Sequence, residues 1–339
     1  MTQSTTSIWE EALKQGASDI HVVVGYPVML RIDGKLKALN ETVMTGPDVT
    51  ALLHVFLNEA GYQRFLKEQD IDCSYLLKDG TRFRINCSIV GGQPAFAARL
   101  IPSIIPTLEE LCMPSVVIEL SRSRNGLVLI TGPTGTGKST TMASLLAHRL
   151  AEEPVNVITL EDPVEFRIPP GKGMIQQREL GADFSSFPEG LKHILRQDPD
   201  IVMVGEMRDL ESIGLALTLA ETGHLVIATL HTPNTAQTID RIIDVFPPHQ
   251  QAQIRSQLSL MLRGIVAQRL IVKKGGGRVA SREILMQNPA VSNIIRENRI
   301  QELASVLQTG KKEGMVTFEK DLQRLKEEGL IDEADMASK

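Results

Sequence analysis

The spacing of apolar residues changes near residue 126, and that change divides the chain. Before it the apolar runs are short and mostly alternate with polar positions. Runs at 19–24 and 28–32 predict strands joined through Gly25, Tyr26 and Pro27, and Asp33-Gly34 predicts a tight turn into a strand over 35–39. A helix over 7–15, ended by Gly16, is predicted ahead of them, and a helical stretch over 47–68 after them. Three further runs, 71–77, 81–89 and 95–100, predict antiparallel strands turned by Asp79-Gly80 and Gly91-Gly92. Together these elements predict a small α+β domain over 1–100. Residues 101–125 break the pattern with Pro102, Pro106, Pro114 and the polar string at 121–124, which predicts a linker carrying one short helix at 108–111.

From 126 the pattern becomes strand–helix–strand. The apolar runs 127–131, 155–160, 201–205 and 225–230 are continuous, as in strands of a parallel sheet covered on both faces. Leu210, Ile213, Leu217 and Ala220 form a helical stripe that Gly223 ends. Gly275-Gly276-Gly277 predicts a hairpin, and the charged, amphipathic stretch from 291 predicts a helical tail. The expected layout is an α/β core over 126–288 and a helical region over 289–339.

Composition narrows the setting. A chain of 339 residues exceeds one compact core, so two domains are expected. Its 42% hydrophobic and 23% charged residues are ordinary for a globular protein. A net charge of -5 speaks against a surface that tracks nucleic acid, and no direct nucleic-acid partner is expected. Cys73, Cys87 and Cys112 are odd in number and lack C-x-x-C spacing, which argues for free thiols in a reducing compartment. Neither a signal peptide nor an apolar run near the ~18 residues that span a bilayer is found. The expectation is a cytoplasmic chain whose membrane contact comes only through partners.

The strongest chemistry is GPTGTGKST at 132–140, which satisfies G-x-x-x-x-G-K-[ST] between an apolar strand and a helical run. The nine residues Gly132, Pro133, Thr134, Gly135, Thr136, Gly137, Lys138, Ser139 and Thr140 form a phosphate cradle. Gly135 and Gly137 let backbone N–H groups turn toward phosphate, and the helix N-terminus adds partial positive charge. Lys138 is expected on the β- and γ-phosphates and Ser139 on Mg²⁺, with ATP as the nucleotide. Two acidic segments follow. ITLEDPVEF brings Glu161, Asp162 and Glu165 to a strand end, where each is either a solvated loop residue or a water-activating carboxylate. DPDIVMVGEMRD delivers Glu206 at the end of a fully apolar strand, the Walker B position, where an acid points to chemistry.

His224 and His231 stand at the two ends of one predicted strand, roughly 23 Å apart, too far to share a metal ion. His231 falls on the carboxyl edge, suited to sensing a γ-phosphate. Arg82 and Arg84 share one strand face by the two-residue period. They are either solvated surface arginines or fingers acting across a subunit boundary.

The motif order resembles the secretion ATPase superfamily and, within it, the PilT-like retraction ATPases of type IV pili. GASDIHV, GPTGTGKST, ITLEDPVEF, VGEMRDLESI, AETGHLVIATLHT and IDRIIDVFPPHQQAQIRSQLS match in order and spacing along nearly the whole chain. The resemblance implies a PAS-like N-terminal domain, a RecA-like P-loop core, and a homo-hexameric ring binding ATP between domains. It assigns Glu206 to an atypical Walker B position and Glu165 to the catalytic position of the acidic segment. His224 and His231 become the histidine-box pair, and Arg84, Arg99 and Arg82 the N-domain arginines that reach nucleotide. The implied partners are an inner-membrane pilus platform protein and a paralogous retraction ATPase, at the cytoplasmic face of the inner membrane. The alternatives are an accessory, PilU-like retraction ATPase or an ATP-driven nucleic-acid translocase. Two departures stand out. AVSNII at 290–295 has Ser292 where the family usually has Arg, and the segment 176–180 has no assigned role. The chain lacks the long N-terminal extension and four-cysteine insertion of assembly ATPases, which favours retraction.

Overall fold

The computed structural model describes residues 5–32, 35–77, 80–101 and 104–332, with side chains from residue 8. The Asp33-Gly34 turn, Asp79, Pro102 and the end of the tail after 332 lie outside the described residues. The chain divides into two compact units, Met1–Ile104 and Ile105–Lys339.

The first unit begins with helix α1 (Thr5–Lys14) and strands β1 (Asp19–Val23), β2 (Pro27–Ile32) and β3 (Lys35–Val43). Helices α2 (Gly46–Phe56) and α3 (Glu59–Glu68) and strands β4 (Asp70–Leu76), β5 (Arg82–Val90) and β6 (Gln93–Ile101) complete it. The helical stretch expected over 47–68 is two helices, because the Asn58 side chain accepts from Gly61 N–H and starts a new one. The sheet is antiparallel throughout, in the order β3-β2-β1-β6-β5-β4. One face buries Ile20, Val22, Leu30, Phe83 and Ile85 with Trp9, whose ring packs on Phe56, Tyr75, Phe83 and Phe96. The opposite face is polar. Cross-strand pairing sets Arg31, Asp19, Arg99 and Arg84 side by side in one row across four strands.

The second unit opens with α4 (Ser115–Ser121), which carries Val117 and Leu120 into the core beside Leu108. The short helix of this region thus falls at 115–121 and not at 108–111, because Pro114 can only start a helix, never continue one. Strand β7 (Gly126–Thr131), α5 (Lys138–Glu152), β8 (Asn156–Glu161), β9 (Met174–Glu179), α6 (Phe187–Ile194) and β10 (Ile201–Val204) follow. Then come α7 (Leu210–Glu221), β11 (Leu225–Leu230), α8 (Thr235–Asp244), α9 (Pro248–Met261), β12 (Leu262–Val272) and β13 (Arg278–Met286). The α-helices α10 (Pro289–Arg296), α11 (Leu303–Thr309) and α12 (Phe318–Glu327) follow.

The sheet order is β13-β12-β7-β11-β10-β8-β9, parallel except for the β12–β13 hairpin. Every residue of β7, β10 and β11 is buried, which explains their unbroken apolar runs. β11 lies between β7 and β10, so the carboxyl ends of all three open on one edge. The fold is α/β, an α+β N-terminal unit followed by a P-loop core with C-terminal helices. Among the described residues no helix is long and apolar enough to cross a membrane. At the departure on α10, Ser292 is buried, and its hydroxyl donates to Ser259 C=O on α9 at 2.8 Å.

Candidate active site

The cradle is built where β7 ends and α5 begins. Gly132 has φ of 142°, and a Cβ there would meet the Gln268 carbonyl oxygen and, at 2.7 Å, Thr136 Oγ1. Only glycine fits. Thr136 Oγ1 donates to Pro133 C=O at 2.8 Å, closing the loop on itself. Gly137 caps α5 without any side-chain acceptor, so the first-turn N–H groups are left for an anion. Lys138 is buried against the loop and donates to Gly132 C=O at 2.7 Å and Pro133 C=O at 3.0 Å. Burial lowers its pKa, and the negative charges of Glu206 and Glu165 oppose that shift. Ser139 and Thr140 follow at the start of α5, half-buried, and Pro133, Thr134 and Gly135 form the exposed lip.

Glu206 arrives through a tight approach of backbones. Gly205 N–H donates to Leu160 C=O at 2.7 Å, and a Cβ at 205 would sit 3.0 Å from that oxygen. Thr229 Oγ1 donates to Gly205 C=O, and Met207 N–H donates to Thr229 C=O at 3.0 Å. Glu206 is thus strung between β8 and β11. Its side chain is only 12% exposed, paired with Arg208 and 3.1 Å from His231 Nε2. The structure brings together Lys138, Glu206, His231 and the exposed Glu165 on one edge. His224 is not among them. It lies at the other end of β11, about 23 Å away by strand rise, with its ring Nδ1 3.1 Å from Leu219 C=O at the end of α7. Arg82, Arg84 and Arg99 belong to the first unit. Arg82 is buried on β5, Arg84 lies 3.7 Å from Asp72, and Arg99 Nε donates to Asp19 Oδ1 at 2.8 Å.

Two supports of the site carry no signal in the sequence. The first is Gln177, on the edge strand β9. Its Nε2 donates to Phe166 C=O at 2.7 Å and Glu161 Oε1 at 3.0 Å, while its Oε1 accepts from Ile168 N–H at 2.9 Å. The unassigned segment around it is therefore a strand that holds the acidic segment in place. Glu161 itself is buried and also accepts from Thr159 Oγ1 at 2.6 Å. Burial raises its pKa, against those two hydrogen bonds and with the help of Glu165. The fold thus favours the protonated form, so its stabilising share is complete at low pH and lost as pH climbs through the folded pKa. Glu161→Gln is expected to lessen the fall in Tm as pH rises above the ordinary carboxylate range. An unchanged pH profile of Tm would remove Glu161 as its source.

The second is Gln268, fully buried on β12 and 132 residues from its partner. Its Nε2 donates to Thr136 C=O at 2.7 Å, and its Oε1 accepts from Thr141 Oγ1 at 3.1 Å. It therefore grips the cradle between Gly132 and α5. Gln268→Leu leaves both partners unpaired, a loss of about 1–3 kcal/mol. Titration calorimetry is expected to show ATP affinity reduced roughly tenfold. Unchanged affinity would mean the loop keeps its form unaided.

The family model described as type II/IV secretion system protein matches residues 108–326. The Type IV pilus retractation ATPase PilT of Pseudomonas aeruginosa is 44% identical over 326 residues, 96% of this chain and 95% of the relative. A twitching motility protein of Neisseria gonorrhoeae is 45% identical over 304 residues, 89% of this chain and 81% of the relative. Among solved structures, the pilus retraction motor PilT with bound ADP is 41% identical with a TM-score of 0.91, covering 98% of this chain and 95% of that one. The ATPase DotB of Legionella pneumophila is 28% identical with a TM-score of 0.87, covering 99% and 95%. With the family model spanning well over half of its length and near-complete coverage of relatives above 40% identity, this chain belongs to the type II/IV secretion system protein family.

Proposed function

We propose that this chain is an ATPase of the PilT type, working as a homo-hexameric motor that powers type IV pilus retraction. The observation that carries the reading is a glycine-only turn that seats the buried Lys138 at an uncapped helix start, with Glu206, bonded to His231, at the end of a neighbouring strand of the same parallel sheet. The cradle fits a triphosphate: a glycine-only turn, an uncapped helix start and a buried ammonium all favour anionic oxygens. The Ser139 hydroxyl would hold Mg²⁺, which would supply neutralising positive charge to the triphosphate.

Lys138 exchanges its loop carbonyls for phosphate oxygens when nucleotide enters. Glu206, oriented by Arg208 and His231, polarises the attacking water, with Glu165 contributing negative charge beside it. His231 reports the γ-phosphate to Glu206 through their hydrogen bond. Arg84 and Arg99, with Arg82, act from the N-terminal domain on nucleotide held by a neighbouring subunit, and His224 acts at that boundary. In this reading residues 1–100 form the PAS-like domain and 101–125 the linker. Residues 126–288 form the ATPase core, and 289–339 the C-terminal helical region. Work comes from the different fit of two domain arrangements to ATP and ADP. The motor sits at the cytoplasmic face of the inner membrane, docked on the pilus platform protein and joined there by a paralogous retraction ATPase.

Higher identity to PilT than to the PilU ATPase of Pseudomonas aeruginosa, 44% against 34%, favours the main motor over the accessory one. The test is complementation of a retraction-deficient strain, read as twitching motility. This chain alone is expected to restore it. Restoration only alongside a second retraction ATPase would assign the accessory role, and ATPase stimulated by DNA with no twitching would point to a translocase.

A further inference from the structure

The segment GASDIHV, prominent in the sequence, contributes nothing to the cradle, yet its Asp19 occupies an unusual position. Asp19 stands in the arginine row on the polar face of the first unit's sheet, paired with Arg31 on one side and Arg99 on the other. Its side chain is 12% exposed, whereas that of Arg99 is 76% exposed. A buried anchor thus holds a protruding arm.

The point of attachment matters. Arg99 bonds Asp19 Oδ1 through Nε, at 2.8 Å. Nε belongs to the stem side of the guanidinium, so this bond fixes the plane of the group while sparing its two terminal nitrogens. Among the described residues those nitrogens have no other hydrogen-bond partner. The other carboxylate oxygen, Oδ2, accepts from Ser18 Oγ at 2.8 Å and lies 4.0 Å from Arg31 Nε. Ser18 is itself fixed, since its N–H donates to Arg31 C=O at 2.8 Å and its C=O accepts from Leu100 N–H at 2.9 Å. Burial works against the Asp19 charge, but the Arg99 and Ser18 hydrogen bonds outweigh it and hold the carboxyl below its usual range. Elsewhere in the row, Arg84 lies 3.7 Å from Asp72 of the edge strand, and Arg31 Nε lies 4.0 Å from Asp19 Oδ2.

We propose that Asp19 is a positioning residue for Arg99, pinning its stem so that both terminal nitrogens are presented outward as a preformed fork for a phosphate oxyanion of the nucleotide. The proposal rests on the reading above in which Arg99 reaches nucleotide in the assembled ring. Arginine has many rotamers, and an unpinned arm must be ordered at each binding event. An arm held in advance loses less freedom per hydrogen bond formed. Two free terminal nitrogens also match the bidentate geometry that arginine uses with phosphate.

The test is a double-mutant cycle on the full-length, assembled protein, reading kcat/KM for ATP hydrolysis in the wild type, Asp19→Asn, Arg99→Ala and the double variant. Asp19→Asn keeps the size of the side chain and is expected to cost about tenfold, with Arg99→Ala costing at least as much. In the Arg99→Ala background, Asp19→Asn is expected to cost nothing further. A general structural role would produce the same loss in both backgrounds, and that result overturns the proposal, as does a silent Asp19→Asn beside an impaired Arg99→Ala. Should Arg99→Ala hydrolyse ATP like the wild type, the assignment of Arg99 fails first, and the role of Asp19 falls with it. If Asp19→Asn does not assemble, Ser18→Ala removes only the brace on Oδ2. It is expected to give a smaller loss, again absent without Arg99, and a loss that persists there counts against the proposal.

Discussion

Lys138→Ala is expected to abolish ATP turnover and to remove measurable ATP binding at the same time. The ammonium is the one buried cation of the cradle, and it is held there by the Gly132 and Pro133 carbonyls at 2.7 and 3.0 Å. Burial disfavours its charge, and only nearby negative charge restores the balance. A triphosphate provides far more of that charge than Glu206 and Glu165 do. Removing a preorganised group aimed at charge that develops in the transition state costs about 10²–10³ in kcat, and loss of a full positive charge on phosphate adds to it. Fluorescent-nucleotide binding and phosphate release measured on one preparation check both halves. Retention of either would displace Lys138 from the phosphate site.

Glu206→Gln is expected to separate the two halves. Glutamine keeps the shape of the side chain: its carbonyl oxygen can accept from Arg208 while its NH2 donates to a neutral His231 ring nitrogen, and the 205–207 crossing between β8 and β11 is held by backbone bonds that the change leaves alone. In the proposed mechanism, the charge that polarises water is gone. A positioned general base contributes about 10²–10⁴-fold, so hydrolysis should fall by at least about 100-fold. ATP binding should change little or tighten, because a carboxylate near the γ-phosphate position repels it. The contrast with Lys138→Ala, which loses binding as well, is what distinguishes a hydrolytic role from a structural one.

How much of this could be read from the chain varied with how local the cause is. The cradle was legible because a strand, a glycine turn and a lysine lie within a dozen residues, and each is needed for backbone reasons. Glu206 was legible because an acid ending a wholly buried strand has few structural excuses. The two expected ends of the histidine pair also emerged correctly along β11, although within one chain only His231 joins Glu206. What stayed hidden depends on contacts far apart in sequence. Gln268 sits beside Arg269 in a strand of otherwise mostly apolar residues and acquires its meaning only when β12 pairs with β7, bringing its amide to Thr136. The strand β9 shows no alternation, because as an edge strand it is half-covered along most of its length. Its Gln177 becomes informative only beside the Glu161–Ile168 segment that it ties down. The break between α2 and α3 was missed for the opposite reason: one capping asparagine outweighed a continuous helical pattern.

The most direct measurement is phosphate release by the purified full chain and by its Glu206→Gln variant, under Mg²⁺ and ATP concentrations at which both are shown to be saturated with nucleotide. Release by the unaltered chain, falling at least about 100-fold in the variant, is the predicted result. Equal release from the two, or none from the unaltered chain despite bound ATP, would contradict a hydrolytic centre built from this loop and this carboxylate.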